Sequence, residues 1–291
     1  MTPASSLEAA SPLRPPVAVF YLTHLWSQSI AHRFDRLRRE LGADADCFVL
    51  LQDDHGGVTA QWKAFLDGRG TPQALVPFDP DDLLQRLGYR WFDRSIMGST
   101  HFPLLHLSKT HEYGHYWQIE SDVEYRGDWR SLLGAYRNCE ADLLASHFRR
   151  HADWPRWPWW RTLRVPVAAA LTANDLRRAF FPILRISRQA LEALDQAHRD
   201  GWEGHFEALI PTVVHRLGLL AQDLCATTAC YLGDSQDRCA DQARQSTMRW
   251  RPQIALGEFI GRGVGPLLFH PVKENWAYDG NRILRWPEPA S

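Results

Sequence analysis

Two patterns in the stretch HEYGHYWQIESDVEY could each build a metal site. His111 and His115 fit H-E-x-x-H, in which two histidines one helical turn apart bind zinc and the glutamate is the general base of a protease. Further along, Glu120, Asp122 and Glu124 alternate along the chain. Carboxylates at the end of a strand can hold a hard divalent ion, which in turn neutralises nucleotide phosphates. The choice between the patterns depends on where the chain changes from helix to strand.

The zinc pattern lies in a context that breaks a helix. Gly114 occupies the turn between the two histidines, where a helix would stop, and Tyr116 and Trp117 begin a strand-like run. Thirteen histidines in one chain also make a chance match to H-E-x-x-H common. We therefore expect no zinc at HEYGH, and we expect His111 to lie at a solvated helix end. A zinc-dependent hydrolase stays an alternative function.

The acidic pattern agrees with its position in the chain. YWQIESD runs from an apolar strand directly into acids, and ligands of α/β sheets bind beyond the carboxyl ends of strands. Side chains at alternate positions of a continuous strand lie about 7 Å apart, and three of them cannot share one ion without a bend. We therefore expect the strand to end near Ser121. The alternative is a solvated strand face that binds no ligand.

The first part of the chain predicts a β-α-β unit. VAVFYLTH (17–24) and CFVLLQD (47–53) are apolar runs typical of buried strands, and SIAHRFDRLRREL (29–41) has the spacing of an amphipathic helix. ALVPF (74–78) is predicted as a third short strand. DPDDLLQRLGY follows it and begins with a proline and acids suited to a helix start.

The alternation of strand and helix continues beyond this unit. The predicted elements are a helical segment at 102–113, a helix at 128–138, a strand at 141–148, and helices at 186–201 and 205–219, the last interrupted near Pro211. Strands separated by helices of this length favour an α/β fold with a mainly parallel central sheet flanked by helices. The C-terminal half of the chain is less regular.

Composition is that of an ordinary globular protein. The 291 residues are 45% hydrophobic and 23% charged, which is enough to bury a large core. Residues 1–16 are rich in proline, serine and alanine, and they lack the basic start and apolar run of a secretory signal. We expect 1–16 to be a disordered leader and 17–291 to form a single domain.

Charge, cysteines and hydropathy limit the partners and the location. The formal net charge of -1 gives no reason to expect nucleic acid as a partner. Five cysteines without a C-x-x-C pair are typical of reduced thiols in a cytoplasmic protein. The longest apolar candidate, VPVAAALTA (165–173), is too short for a transmembrane segment. We expect a cytoplasmic location and leave peripheral membrane contact open.

Three segments, taken in order, resemble a known family. SKTHEYGHYWQIESDVEYRGDW, WEGHFEALIPT and LLFHPVKEN are similar to the metal-dependent nucleotide-diphospho-sugar glycosyltransferases of the GT-A fold, in a poorly characterised group with a W-x-x-E-x-D strand motif. The resemblance covers roughly residues 17–275. It implies a GT-A-like domain, a UDP-linked sugar donor, a glycan or other hydroxylated acceptor, and Mn²⁺ or Mg²⁺ as cofactor.

The resemblance also implies a set of metal ligands. The acidic motif of the family is D-x-D, and this chain offers two competing registers, Glu120 with Asp122 or Asp122 with Glu124. Asp122 belongs to both registers. A late histidine often completes the metal site in the family, and His270 of HPVK matches it. Neutral imidazole beside carboxylates suits manganese.

Roles for the donor phosphates and the acceptor follow from the same resemblance. Lys273 would neutralise the departing diphosphate, and Lys109 is a second candidate for nucleotide binding. The pattern G-H-x-E-x-x-x-P-T selects Glu207 as the base that takes the acceptor proton, with Glu203 second, although either acid could instead cap a helix. WPRWPWW could form a sugar-stacking wall or lid, or pack its own tryptophans into the core.

Three other functions are compatible with the same fold. A non-catalytic sugar-binding or scaffold protein would keep the tryptophans and bind no nucleotide. A zinc-dependent hydrolase would bind its metal through HEYGH. A nucleotidyltransferase would share the sheet but consume a nucleoside triphosphate.

Overall fold

The structure is a computed structural model of the chain. It describes residues 17–53, 57–90, 98–233, 245–254 and 265–273, and the backbone of 278–279 and 282–283. The predicted leader at 1–16 lies outside the described residues. That 17–291 form one domain stays a prediction.

Strands and helices alternate along most of the described chain. The strands are β1 (Val17–Thr23), β2 (Asp46–Gln52), β3 (Leu75–Phe78), β4 (His115–Glu120), β5 (Glu124–Tyr125), β6 (Leu143–Arg150), β7 (Arg177–Ser187), β8 (Ala221–Asp223), β9 (Leu268–Phe269), β10 (Tyr278–Asp279) and β11 (Arg282–Ile283). The helices are α1 (Gln28–Leu41), α2 (Thr59–Asp67), α3 (Pro80–Leu87), α4 (Phe102–Leu107), α5 (Trp129–Gly134), α6 (Arg188–Arg199) and α7 (Phe206–Arg216).

Seven strands form the central sheet, in the order β3-β2-β1-β4-β7-β6-β8. β1 runs parallel to β2 and β4, β2 to β3, and β6 to β8, whereas β7 is antiparallel to both of its neighbours. The predicted α/β class, with a mainly parallel sheet flanked by helices, is therefore confirmed. The carboxyl ends of β1 and β4 meet at one edge of this sheet.

Local signals explain why the first β-α-β unit was predicted well. The Ser27 side chain accepts a hydrogen bond from the N–H of Ile30 and caps α1, which ends at Gly42 with a φ of 56°. Asp79 caps α3 in the same way, and Gly88 ends that helix with a φ of 68°. Capping side chains fix helix starts, and glycine fits the left-handed backbone at helix ends.

The core lies on both faces of the sheet. On one face, β residues such as Phe20 and Tyr116 pack against α3, α4, α6 and α7. On the other face, neighbours such as Val19 and Trp117 pack against α1, α2 and α5. Consecutive residues of a strand point to opposite faces, so strands buried on both sides read as continuous apolar runs.

The longest strand, β7, was missing from the sequence prediction. RRAFFPILRIS is an apolar run of the kind that buried strands show, but a proline interrupts it, and a proline argues against a central strand. Pro182 is tolerated because the pairing of β6 with β7 changes register between Leu144 and Ser146, and proline in a sheet is confined to edges and bulges. The helix predicted from 186 begins at Arg188, after this strand.

Several predicted helices have different bounds in the structure, and α5, predicted to reach residue 138, ends at Gly134. α7 continues through Pro211 from Phe206 to Arg216, so the predicted interruption is wrong. α4 ends at Leu107, well before residue 113, and hydrogen-bonded turns carry the chain on towards β4.

Four of the five cysteines lie in the described part of the chain. Cys47, Cys139, Cys225 and Cys230 are free thiols, and Cys239 lies outside the described residues. Among the described helices, none combines the length and apolar character that crossing a membrane requires.

Candidate metal and nucleotide site

β4 ends at Glu120, where the chain turns sharply. The N–H of Val123 donates to the Glu120 carbonyl at 2.9 Å, and the N–H of Ser121 donates to the Leu22 carbonyl at the end of β1 at 3.0 Å. This turn replaces the continuous strand in which the acids would lie about 7 Å apart. Glu120 and Asp122 can therefore approach one another.

A short antiparallel pairing brings the end of the described chain to this turn. β5 pairs with β9, with Glu124 opposite Phe269 and Tyr125 opposite Leu268. Just after β9, the N–H of Val272 donates to the Asp122 carbonyl at 2.8 Å. His270 is thereby held beside the turn.

Glu120, Asp122 and His270 form a group that could hold a metal ion. One ligand atom from each lies within 4.8 Å of the others. The Nε2 atom of His270 lies 3.3 Å from Oδ1 of Asp122 and 3.5 Å from Oε2 of Glu120. Oδ1 of Asp122 is buried and has no polar neighbour that satisfies it apart from the His270 ring, which suits an ion ligand. We call this group the acidic cluster.

The His270 ring is oriented by the backbone. Its Nδ1 atom lies 2.7 Å from the Arg249 carbonyl oxygen, which can only accept, so Nδ1 carries the proton and donates. Nε2 therefore faces the two acids. Metal-binding histidines usually donate their second ring nitrogen in this way, which fixes the tautomer and the ring plane.

Charges in the acidic cluster favour a cation. Burial lowers the pKa of His270, but the Asp122 and Glu120 carboxylates raise it more, to about 10. Burial raises the pKa of Asp122, whereas His270 and Lys273 lower it more, to below its ordinary value. The carboxylates therefore stabilise whatever positive charge lies between them, an imidazolium or a metal ion.

Lys273 lies at the mouth of the same cluster. Its Nζ atom forms an ion pair with Oδ2 of Asp122, and half of its side chain is exposed. An exposed ammonium on a flexible stem can move from a carboxylate to a phosphate.

Glu124 does not join the acidic cluster. It is 3% exposed and its carboxylate lies 2.6 Å from Nε of Arg33 and 3.6 Å from Nη1 of Arg36, both on α1. Arg33 also donates to the carbonyls of Ser121 and Val272, the two segments that carry Asp122 and Lys273. β5 turns Glu124 towards α1. Of the two possible acidic pairs, the structure therefore brings together Glu120 and Asp122.

The other predicted cationic and acidic residues have different partners. Lys109 pairs with Asp195 on α6 at 2.9 Å. Glu203 pairs with Arg164 at 3.1 Å, and the two residues also exchange backbone hydrogen bonds. Glu207 lies in the first turn of α7, where its N–H donates to the capping His205 side chain.

The two histidines of HEYGH do not share a helix. His111 follows α4 in a turn, with its ring edge against Phe20 and Phe48, and His115 is the first residue of β4. The H-E-x-x-H geometry requires both on one helical turn. This stretch therefore lacks the frame of a zinc protease.

The tryptophan loop packs beside the start of α7. Trp157 is buried, whereas Trp159 is 37% exposed and stacks on the His205 ring at 4.5 Å. Arg178, the second residue of β7, lies 4.7 Å from the Trp154 ring and 4.4 Å from the Trp157 ring. The loop thus both fills core space and offers an exposed aromatic face.

Sequence reasoning missed two buried polar residues near the site. Arg178 escaped because β7 was not predicted, although a basic pair before an apolar run marks the strand start. Gln118 lies on the same face of β4 as Glu120, is fully buried, and has no hydrogen-bond partner for either amide atom. No sequence signal distinguishes this glutamine from an ordinary strand residue.

Among known proteins, this chain is similar to several solved structures. The sequence matches no protein-family model and no curated protein. The galactosyltransferase LgtC in complex with donor and acceptor sugar analogs is 14% identical, with 71% of this chain and 72% of that chain covered and a TM-score of 0.41. An active-site mutant of LgtC is 12% identical, with 93% and 92% covered and a TM-score of 0.43.

A third solved structure is a mannosyltransferase from Pyrobaculum calidifontis in complex with GDP-Man and Mn²⁺. It is 13% identical, with 73% of this chain and 55% of that chain covered and a TM-score of 0.39. TM-scores below 0.5 leave the functional argument to the geometry of the site.

Proposed function

We propose that this protein is a glycosyltransferase that moves a sugar from a nucleotide-diphospho-sugar, UDP-linked, to a hydroxyl of a glycan or other acceptor. The observation that carries the proposal is the acidic cluster of Glu120, Asp122 and His270 with Lys273 at its mouth. It lies at the carboxyl end of a parallel strand, where α/β sheets bind their ligands.

The acidic cluster fits a divalent cation. Its donors are two carboxylates and one imidazole, a set that suits Mn²⁺ better than Mg²⁺, which prefers oxygen ligands. Glu120, Asp122 and His270 would hold the ion. When bound, such an ion neutralises charge on the donor diphosphate.

Lys273 would act on the leaving group. Its exposed ammonium lies beside the cluster and can form charge-assisted hydrogen bonds with phosphate oxygens. Lys109, the second candidate for nucleotide binding, is tied to Asp195 and is a weaker candidate for this role.

The acceptor would bind near the start of α7. Glu207 is our first candidate for the base that takes the proton from the acceptor hydroxyl, with Glu203 second. The positive end of the helix dipole favours the ionised carboxylate at Glu207. The exposed face of Trp159 offers a surface on which a sugar ring can stack.

A thermal-shift panel tests the proposal. Nucleotide-diphospho-sugars are added with and without Mn²⁺, and a ligand that binds only the folded state raises the melting temperature. At a concentration about a hundred times Kd the stabilisation is about 2.7 kcal/mol. We expect a shift that requires both donor and metal.

The same panel distinguishes the alternatives. A shift with nucleoside triphosphates but not with nucleotide sugars would indicate a nucleotidyltransferase. A shift with free sugars and none with any nucleotide would indicate a sugar-binding protein without transferase activity. Either result would contradict the proposed function.

A further inference from the structure

A cavity lies away from the acidic cluster, between the end of β6, the start of β7 and the C-terminal half of α7. Its volume is about 460 Å³. Arg149, Arg150, Arg177 and His215 line it, together with apolar side chains that include Pro211. We call this cavity the basic pocket.

The pairing of β6 with β7 concentrates positive charge at the basic pocket. Arg150 lies opposite Arg177 in this strand pair, and both residues line the pocket. Like charges directly opposite each other destabilise an antiparallel pair. Asp153 pairs with Arg150, and an anionic ligand would offset the remaining positive charge of Arg177.

The two acids that line the basic pocket have partners other than Arg177, although the partners of Asp223 are neutral groups that leave its charge in place. Asp153 accepts from the backbone N–H of Arg150 at 2.8 Å and from its guanidinium at 3.2 Å. Asp223 accepts from the Tyr231 hydroxyl at 2.7 Å and from the N–H of Cys225 at 2.9 Å. Neither carboxylate forms an ion pair with Arg177.

The guanidinium of Arg177 is held by neutral groups, and the carboxylates of Asp175 and Asp153 act on it only from beyond ion-pair distance. Its guanidinium donates to the carbonyls of Asn174 and Leu176 and to Nε2 of His215, and within the described part of the chain it makes no ion pair. Arginine can only donate, so Nε2 of His215 accepts and that ring is neutral in this contact. Burial and the neighbouring Arg150 lower the pKa of Arg177.

We propose that the basic pocket binds an oxyanion, a carboxylate or a phosphate group, carried by the acceptor of the proposed transfer. The planar guanidinium forms paired hydrogen bonds with the oxygens of either group. The apolar part of the lining would contact the carbon skeleton that carries the anion. The assignment to the acceptor rests on the proposed function, whereas anion binding by the pocket does not.

The location of the pocket agrees with an acceptor subsite. β7 runs antiparallel to β4 with Ile183 opposite Ile119, so its first residues extend past the end of β4 at Glu120. The Phe180 ring lies 5.3 Å from the His270 ring of the acidic cluster. From Phe180 back to Arg177 the strand covers about 10 Å, so Arg177 lies at about that distance from the part of β7 that contacts the acidic cluster.

Titration calorimetry on the full chain tests the inference. The probes are inorganic phosphate and glucuronate, a sugar carboxylate, each added without divalent metal. We expect at least one probe to bind, and Arg177→Gln to weaken it by about tenfold or more, because charge-assisted hydrogen bonds are lost. Arg177→Lys keeps the charge and should retain part of the affinity.

Two further variants serve as controls. Arg150→Gln changes an exposed side chain of the pocket and should also weaken anion binding. It keeps the inference testable if Arg177→Gln fails to fold. Arg86→Gln changes an exposed arginine on α3, outside the pocket, and should leave binding unchanged. The inference is overturned if the unmodified protein binds neither probe. It is also overturned if both pocket variants bind the probes as tightly as the unmodified protein does.

Donor binding separates this inference from the proposed function. We expect Arg177→Gln to bind UDP with Mn²⁺ as the unmodified protein does, and loss of UDP binding in that variant would contradict a separate pocket. If the protein binds an anion but not UDP, the basic pocket is supported and the glycosyltransferase proposal is contradicted. UDP binding without anion binding would do the reverse.

Discussion

The Nε2 atom of His270 lies 3.3 Å from Oδ1 of Asp122, although the two residues come from distant parts of the sequence. The contact is supported by the hydrogen bond from Val272 to the Asp122 carbonyl and by the pairing of β5 with β9. Changes to either side chain should therefore affect one shared site.

Asp122→Asn should weaken Mn²⁺ binding by more than about a hundredfold, since even residues that only orient metal ligands contribute ten- to a hundredfold. The amide keeps the shape but lacks the charge, so we expect the fold to persist. Calorimetric titration with Mn²⁺ measures the effect, with Asp67→Asn, at an exposed end of α2, as the control. Equal Mn²⁺ and UDP binding by the variant would mean that the site is misplaced.

His270→Ala and Lys273→Ala should affect different ligands. A metal ligand acts on everything that the ion contacts, so His270→Ala should weaken Mn²⁺ and UDP together. Lys273→Ala should weaken UDP by about tenfold, leaving Mn²⁺ and uridine unaffected, because an ammonium acts on phosphate charge. Titrations of both variants with all three ligands give the comparison, and identical profiles would argue against separate roles.

Glu207→Gln should preserve donor binding and reduce sugar transfer by about a hundredfold or more, the usual contribution of a positioned base. A radiolabelled-donor transfer assay with saturating Mn²⁺ measures the rate. Glu203→Gln is the matched variant, and it should retain most of the activity. The opposite pattern would exchange their roles, and full activity in both would point to another base or to a retaining mechanism.

Glu124→Gln should lower the free energy of unfolding by about 3–5 kcal/mol, because it leaves the buried Arg33 guanidinium without its counter-charge. Urea unfolding measures this change. The folded variant should still bind Mn²⁺, since the Glu124 carboxylate pairs with α1 and lies outside the acidic cluster. Unchanged stability together with lost Mn²⁺ binding would instead make Glu124 a metal ligand.

Stability should fall as the pH drops below about 6.5, because His101 and His198 are buried with their Nε2 atoms 2.9 Å apart. Burial lowers the pKa of His198 from 6.5 to about 4 and that of His101 well below its usual range. The unfolded chain then takes up protons first, so stability is complete above pH 6.5 and is lost towards pH 4.

The expected loss from His198 alone is about 3 kcal/mol, at roughly 1.4 kcal/mol for each unit of pKa difference. Urea unfolding between pH 7 and pH 4 measures the slope. His198→Gln should flatten it, and His24→Gln, at an exposed position, should not. Equal slopes in both variants would show that the histidine pair does not govern acid stability.

Strong local patterns made much of the fold predictable from the sequence. β1, α1 and β2 have continuous apolar runs, helical spacing and a capping serine, and these local signals set their bounds within one or two residues. β7 was not predicted because Pro182 interrupts its apolar run, and only the pairing with β4 and β6 shows that the sheet accommodates this proline. The predicted break at Pro211 was wrong because packing of α7 outweighs one lost hydrogen bond.

The sequence by itself determined that acids follow the β4 strand and that a histidine and a lysine follow a late apolar pair. It left two acidic registers open. Only the tertiary structure brings one of them together beside His270, because the turn after Glu120 moves Asp122 towards His270 while Glu124 pairs with Arg33 on α1. Which side chains meet depends on contacts between distant segments, and those contacts are fixed by the packing of the whole sheet rather than by any local pattern.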